Sequence, residues 1–485
     1  MKLRDILRNI EVLEFNADLD MEISDVTYDS RSAGPGTAFV VLEGYTAQGK
    51  LFNSNVRYIE SAVNAGASVI ISREAPAANA PYVLVKDSQK ALALASGNLF
   101  GWPSDKLKVV GVTGTNGKTT TTTLIWDIIG RLTGKKAGLI GTNRNVVGDT
   151  EYEAEHTTPE ARELHELFSK MVQAGCEYAV MEVSSHSLAF DRVEGVSFEV
   201  GCFTNLSQDH LDYHITMENY LEAKARLFDI SRYAVINADE EAAGALIKRT
   251  KGRVYTYAAD NKASLKAENI VLKPDRVEFD AVYGQETAPV VLNIPGRYNV
   301  YNALAAISCC LCLGFKLIDI TEALKACSSV KGRLEVVPTG RDFTILIDYA
   351  VTPDALDSMI RTVRQTARGR VGVLFGCGGD RDRTKRPKMG RVVASLADYV
   401  IITSDNPRTE EPEAIIRDIL EGLADITTPY VVIPDRREAI RWAIENAQSG
   451  DTIVLAGKGH ETYQIVGKTK YHMDEREIIA EVLKG

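Results

Sequence analysis

The stretch "VVGVTGTNGKTTTTTLI", Val109 to Ile125, constrains this chain more than any other. An apolar run of β-formers passes into a glycine-rich loop and then, at Lys118, into the start of a helix carrying the five threonines Thr119 to Thr123. Strand, tight loop and helix in that order point to an α/β architecture. The loop nearly spells the G-x-x-x-x-G-K-[ST] phosphate-binding pattern, but Val112 stands where the first glycine belongs, and the glycines fall at Gly111, Gly114 and Gly117. Backbone N–H groups at a helix N-terminus still face an anion, so the chemistry survives the altered spacing. Lys118 and Thr119 keep their places, one to reach the outer phosphates of a nucleotide and the other to give a hydroxyl oxygen to Mg²⁺.

A chain of 485 residues exceeds what one hydrophobic core usually serves, so two to three domains of about 100–200 residues each are expected. No run approaches the roughly 20 apolar residues of a membrane span. The opening "MKLRDILRNIEVLEF" reads as a charged amphipathic helix rather than a signal peptide, which predicts a cytoplasmic protein. The seven cysteines, an odd number in apolar contexts, suit a reducing compartment. Cys309 and Cys312 form a C-x-x-C inside the apolar helical run "YNALAAISCCLCLGF", where buried packing is the better reading than metal. A formal charge of −10 argues against a nucleic-acid surface, so an anionic substrate would need local arginines.

Apolar strand-like runs alternate with helical patterns through most of the chain, which predicts largely parallel sheets. The linker-like "FGWPSDKLK" and the segment "VKGRLEVV" divide it into residues 1–103, 104–334 and 335–485. In the second block "EYAVMEV", "FEVGCFTNL" and "YAVINAD" are apolar strands that end in polar residues. In the third, "FTILIDYAVTPDAL", "VGVLFGCGGDRDRTKRP", "YVIITSDNPRTEEP" and "TIVLAGKGHETYQ" do the same. Ligands of open parallel sheets gather beyond the carboxyl ends of strands, so the chemistry is expected in these loops.

A site that moves a phosphoryl group needs cations, and cations need ligands at strand ends. Glu182, His210 in "TNLSQDHLDYH" and Lys224 in "YLEAKARLF" are the candidates. Singly, they read equally well as a helix cap, a surface histidine and a solvated lysine. Together, with "TGTNGKTT", "MEVSSH", "PGRYNVYNALAA", "KGRLEVV", "DYAVTPDAL", "GCGGDRDRTKRP", "SDNPR" and "GKGHE" in order along essentially the whole chain, they resemble the Mur ligases. These are the ATP-dependent amide-forming enzymes that build the peptide stem of peptidoglycan, and the altered glycine spacing is theirs.

The resemblance implies three domains: a small N-terminal α/β domain that binds a UDP-sugar, a central P-loop-type ATPase domain and a C-terminal Rossmann-like domain that binds an amino acid. It implies that Gly114, Thr115, Asn116, Gly117, Lys118, Thr119 and Thr120 cradle ATP, with Asn302, Arg333 and Asp348 holding the nucleotide across a domain interface. Thr119 and Glu182 would hold one Mg²⁺, and His210 and a carbamylated Lys224 would serve a second. Ser30, with Arg31 beside it, matches a nucleotide-sugar motif, and Thr157, Thr158, Ser184 and Arg192 match contacts to the sugar-peptide of a UDP-muramoyl dipeptide. Read alone, those residues are a turn, a helix cap and a surface salt bridge.

Arg381, Asp405, Asn406, Pro407, Arg408, Gly457 and Glu461 match contacts to meso-diaminopimelate, the amino acid of one branch of the family. A planar guanidinium grips a carboxylate through two parallel hydrogen bonds, and Arg408 would repel the cationic end of lysine. The alternative for Arg408 is a surface pair with Glu410 or Glu411. The chain departs from the family at Val351, where histidine commonly follows "DYA", and in "AQGKLFNSN" of the first block. Folylpolyglutamate synthetases share the ATP loop but not "SDNPR" and "GKGHE", and a regulatory protein on an inactive nucleotide fold is the other rival. The expected enzyme is a cytoplasmic monomer with small-molecule substrates, binding neither nucleic acid nor membrane.

Overall fold

The computed structural model describes residues 1–45, 51–273, 276–327 and 330–484. Three main sheets, each from its own stretch of chain, organise it. The central sheet counts 11 strands among the described residues. Its parallel heart runs, side by side, Ala137–Ile140, Tyr178–Glu182, Lys108–Thr113, Phe198–Phe203, Ser231–Asn237 and Arg253–Ala258. Helices cover both faces, which is why Tyr178–Glu182 is buried at every position and reads as an apolar run until it ends at Glu182. Lys108–Thr113 lies between Tyr178–Glu182 and Phe198–Phe203, with later strands of the chain on both sides of it, so the glycine loop emerges at a topological switch point.

Beyond the parallel heart the sheet continues as an antiparallel meander, Leu265–Leu272, Val277–Tyr283 and Glu286–Leu292. Burial alternates along Val277–Tyr283, because one face packs on the helix Arg297–Cys312 while the other meets solvent. The sheet is therefore mixed, with its parallel pairs in the majority. Cys309 of that helix is fully buried and Cys312 only partly, with no disulfide to either.

The first sheet is ordered Val12–Phe15, Tyr82–Val85, Val69–Ser72, Thr37–Val40 and Asp25–Thr27, parallel except at its first edge. That edge corrects the expectation of an N-terminal amphipathic helix. Only Leu3–Ile6 is helical, Asn9 turns the chain at φ 65°, and Val12–Phe15 pairs with Tyr82–Val85. Four residues bury Leu3 and Ile6, and the apolar alternation after Asn9 then serves a strand period. Ala47 to Lys50 of "AQGKLFNSN" lie outside the described residues.

The third sheet is ordered Glu335–Val337, Thr344–Asp348, Thr452–Ala456, Val371–Phe375, Tyr399–Ile402 and Tyr430–Val432. All but the first strand are parallel, so the four polar loops share one rim. Arg436 braces that rim from below. It is fully buried, pairs with the equally buried Glu475 at 2.8 Å, and donates to the carbonyls of Ser404 (3.3 Å) and Ala456 (2.8 Å), at the ends of two strands. Breaking a buried pair leaves a charge uncompensated, so Arg436→Met should lose about 3–5 kcal/mol of stability in a urea titration. A loss under about 1 kcal/mol would show that the pair does not brace the rim.

Candidate active site

One cleft of about 720 Å³ opens between the rims of the central and third sheets. On the central side it is lined by Thr115, Asn116, Gly117, Lys118, Thr119 and Thr120 of the glycine loop, by Thr157, Glu182 and His210, and by Asn302. Arg333, Asp348, Val351, Arg381, Asp405, Asn406, Arg408, Gly457 and Glu461 complete it.

The loop takes its shape from two glycines. Gly114 sits at φ 148° with Thr204 Oγ1 only 1.9 Å from where a Cβ would be, and Gly117 at φ 83° with Asn302 Oδ1 at 2.5 Å from its own. Side chains are excluded at both, by backbone conformation and by space. Asn302 is positioned in turn by its Nδ2, which donates to Asn299 Oδ1 at 2.8 Å. Lys118 Nζ donates to the carbonyls of Gly114 and Thr115, both at 2.9 Å, and burial lowers its pKa.

Glu182 is the hub. Its carboxylate, almost wholly buried, accepts from Thr119 Oγ1 (3.1 Å), the Thr142 backbone N–H (2.8 Å) and Thr142 Oγ1 (3.1 Å). It caps no helix. Thr157 Oγ1 lies 3.0 Å from Thr142 Oγ1, and Thr158 Oγ1 donates to the Glu182 carbonyl at 2.9 Å and accepts from Ser184 N at 3.0 Å. Arg192 Nη1 donates to the Thr158 carbonyl at 3.1 Å while the guanidinium also pairs with Glu160. Thr158, Ser184 and Arg192 thus hang from the same strand end, outside the cleft lining. Ser184 is also a helix cap, accepting from Ser187 N at 3.1 Å. Ser30 is not brought to the cleft: it opens a short turn in the first domain, where the Asp29 carboxylate accepts from Arg31 N at 2.9 Å.

Lys224 is not a solvated helix lysine. It is 1% exposed, its Nζ donates to the Gly114 carbonyl at 2.9 Å from beneath the loop, and it lies 4.2 Å from the centroid of the Tyr220 ring. Burial, reinforced by the Lys118 charge, holds its pKa well below the ordinary lysine value. His210 adopts a left-handed backbone at φ 54°, and its ring meets His186 edge-on at 4.8 Å.

The third sheet presents a second polar cluster. Asp348 accepts from the backbone N–H of Leu334 at 2.8 Å, and burial raises its pKa. Arg333, two residues before the first strand of this sheet, donates to Thr119 Oγ1 at 3.0 Å and lies 4.9 Å from the Tyr349 ring centroid, which links the two sides. Arg408, at φ 52°, donates to the Gly379 carbonyl at 2.9 Å. Among the described residues no ion pair joins it to Glu410 or Glu411, because the fully buried Arg386 holds both oxygens of Glu410, at 2.7 and 2.9 Å. Burial and the neighbouring Arg381 lower the Arg408 pKa, against the fields of Asp405 and Glu461. Asp405 is 7% exposed and its Oδ2 has no hydrogen-bond partner. Pro407 is buried behind them.

Sequence reading missed several members. Thr142 follows a strand end, as Glu182 does, and that position was its only signal. Lys458 lies inside "GKGHE" and is fully buried, donating to Glu461 Oε2 at 3.0 Å, so Glu461 already has a cation. Asp209 and Lys385 pair across the cleft at 3.1 Å, which no local pattern announces.

The chain matches the Mur ligase family catalytic domain over residues 22–97, the Mur ligase middle domain over 112–310 and the Mur ligase glutamate ligase domain over 332–459. It is 46% identical, over 100% of its length and 99% of the relative's, to UDP-N-acetylmuramoyl-L-alanyl-D-glutamate--2,6-diaminopimelate ligase 1 of Clostridium acetobutylicum. The chain belongs to the Mur ligase family. A relative from Clostridium botulinum, named as a UDP-N-acetylmuramoyl-L-alanyl-D-glutamate--2,6-diaminopimelate ligase, is 45% identical over 100% of both chains. A solved structure carrying that same enzyme name superposes on this Mur ligase with a TM-score of 0.68 at 31% identity, covering 100% of this chain and 99% of that one.

Proposed function

We propose that this Mur ligase joins meso-diaminopimelate to UDP-N-acetylmuramoyl-L-alanyl-D-glutamate, converting ATP to ADP and phosphate. Arg408 carries the reading of the amino acid. It is a half-buried guanidinium in the cleft, free of Glu410 and Glu411, beside Arg381 and within the field of Glu461. Such a group selects an amino acid with a second carboxylate, and the unpartnered Asp405 carboxylate oxygen supplies the opposite charge for its ammonium, with Glu461 beside it held by Lys458.

The substrate carboxylate attacks the γ-phosphorus of ATP, the bond to the bridging oxygen of ADP breaks, and an acyl phosphate forms. The diaminopimelate amine then attacks the acyl carbon, the C–O bond to phosphate breaks, and the amine loses a proton. The loop amides and Lys118, on releasing the carbonyls of Gly114 and Thr115, hold the phosphates. Thr119 and Glu182 offer hard oxygen donors, which fits Mg²⁺, a cation held by one or two carboxylates plus substrate phosphates. Bound there, Mg²⁺ neutralises the charge of the transferring phosphoryl group.

Ser30, Thr157, Thr158, Ser184 and Arg192 serve the UDP-muramoyl dipeptide, and Asn302, Arg333 and Asp348 the nucleotide. Lys224 works as a carbamate: its depressed pKa keeps a neutral amine that bonds to CO₂ with loss of a proton, turning that amine into an anion beside His210. The domains are taken as residues 1–103, 104–334 and 335–485. The enzyme is read as a cytoplasmic monomer; its cysteines form no disulfide among the described residues, and among them no helix is long and apolar enough to cross a membrane.

Two measurements test this reading. The parent should favour meso-diaminopimelate over L-lysine in kcat/KM by at least about a hundredfold, about 2.7 kcal/mol, and Arg408→Ala should erase most of that ratio. Equal use of both amino acids by the parent, or an unchanged ratio in the variant, contradicts it. For Lys224, ¹³CO₂ should give a carbamate carbonyl resonance that Lys224→Ala lacks, and that variant should be nearly inactive. A fully active Lys224→Ala enzyme rules the carbamate out.

A further inference from the structure

We propose that Lys385 is a positioning residue that makes cation binding at His210 depend on closure of the third domain, acting through Asp209. The inference rests on the reading of His210 as a cation ligand and goes beyond it. Asp209 grips His210 twice: its Oδ1 accepts from the His210 backbone N–H at 3.0 Å, and its Oδ2 lies 3.4 Å from the ring Nε2. The same Oδ1 accepts from Lys385 Nζ at 3.1 Å, and the two side chains are only 13% and 10% exposed. Asp209 belongs to the central block and Lys385 to the third, 176 residues away.

The contact is seated in a small zipper. Gln208 Nε2 donates to Asp382 Oδ2 at 3.2 Å and to Thr384 Oγ1 at 2.8 Å, and Lys388 donates to Gln208 Oε1. Asp382 in turn accepts from Thr384 N at 2.9 Å, which fixes the turn that presents Lys385. A surface ion pair would be worth little, but a shielded one that shares its carboxylate with a functional imidazole is placed to do more. A carboxylate on one ring nitrogen fixes the tautomer and orientation of a ligating histidine and leaves the other nitrogen for the cation. With Nε2 facing Asp209, that other nitrogen is Nδ1. When the third domain swings away, Asp209 loses its cation and the ring loses a fixed brace. By reciprocity, a cation at His210 then favours the closed domain.

Mn²⁺ binding in the presence of ADP, followed by electron paramagnetic resonance, tests this without turnover. Loss of a partner that orients a metal ligand costs about 10–100-fold in affinity, so Asp209→Asn should weaken Mn²⁺ binding at least about tenfold, and Lys385→Met, which acts through Asp209, should weaken it severalfold and by no more than that. Lys385→Arg, which keeps the charge, should stay within about twofold, less than about 0.4 kcal/mol. Because Lys385 acts through Asp209, the double variant Asp209→Asn/Lys385→Met should bind no more weakly than Asp209→Asn alone. Small-angle scattering should show Mn²⁺ with ADP compacting the parent and not Lys385→Met. Unchanged Mn²⁺ affinity in Lys385→Met, or additive losses in the double variant, overturns the proposal, the latter pointing to direct contact with the nucleotide. If Lys385→Met does not fold, Lys385→Arg and Asp209→Asn decide: parent-like Mn²⁺ affinity in Asp209→Asn overturns it. His210→Ala separates the two levels, since parent-like binding there removes the cation reading of His210 itself.

Discussion

A buried carboxylate at the end of one strand, Glu182, holds the site together. Such a group is tolerated only because its charge is met by hydrogen bonds, here from Thr119 Oγ1 and from both the backbone and hydroxyl of Thr142. Those bonds tie three neighbouring strand ends to one point: the glycine loop through Thr119, the strand Ala137–Ile140 through Thr142, and its own strand through the carbonyl held by Thr158. The same Thr119 oxygen accepts from Arg333, so the hub reaches the third sheet in two steps. The Gly141 backbone lies close enough that a Cβ there would come within 2.6 Å of Glu182 Oε1. Little in this region can be altered without moving the carboxylate.

The cleft has the layout that two-step ligation chemistry needs. The glycine-loop amides, Lys118 and Glu182 occupy one wall, while Arg408, Asp405 and Glu461 occupy the other. Direct contacts hold the walls together: Lys385 to Asp209, and Asn116 Nδ2 to Asp354 Oδ2 at 3.3 Å. A closed cleft of this kind keeps water from a reactive acyl phosphate while the amine approaches. Val351 lies on the cleft wall beside Thr352, whose hydroxyl caps the helix Pro353–Arg364. Valine there can neither donate a hydrogen bond nor carry charge, so the polar work of this corner falls to Asp348 and Arg333.

The parallel strands and their polar ends were legible because a strand covered on both faces is an apolar run that stops abruptly where the chain meets a ligand. Glu182, His210 and the glycine loop stand at such stops. The meander Leu265–Leu292 was not separated from its surroundings, since its half-exposed strands carry only weak alternation. The N-terminal segment was misread because an apolar pattern of about four residues fits a helical turn and a strand equally well. Motif order located Lys224 and Arg408, but only the fold shows that Lys224 lies under the loop and that Arg386 has taken Glu410 away from Arg408. The Asp209–Lys385 pair spans 176 residues and is invisible to any local pattern.

The central claim is that this cleft couples ATP cleavage to amide formation. Phosphate release, followed with purified protein, Mg²⁺ and ATP, tests it most directly. Phosphate should be released steadily only when UDP-N-acetylmuramoyl-L-alanyl-D-glutamate and meso-diaminopimelate are both present, one phosphate for each amide formed. Equal release without the amino acid, or none with both substrates present, would contradict the account.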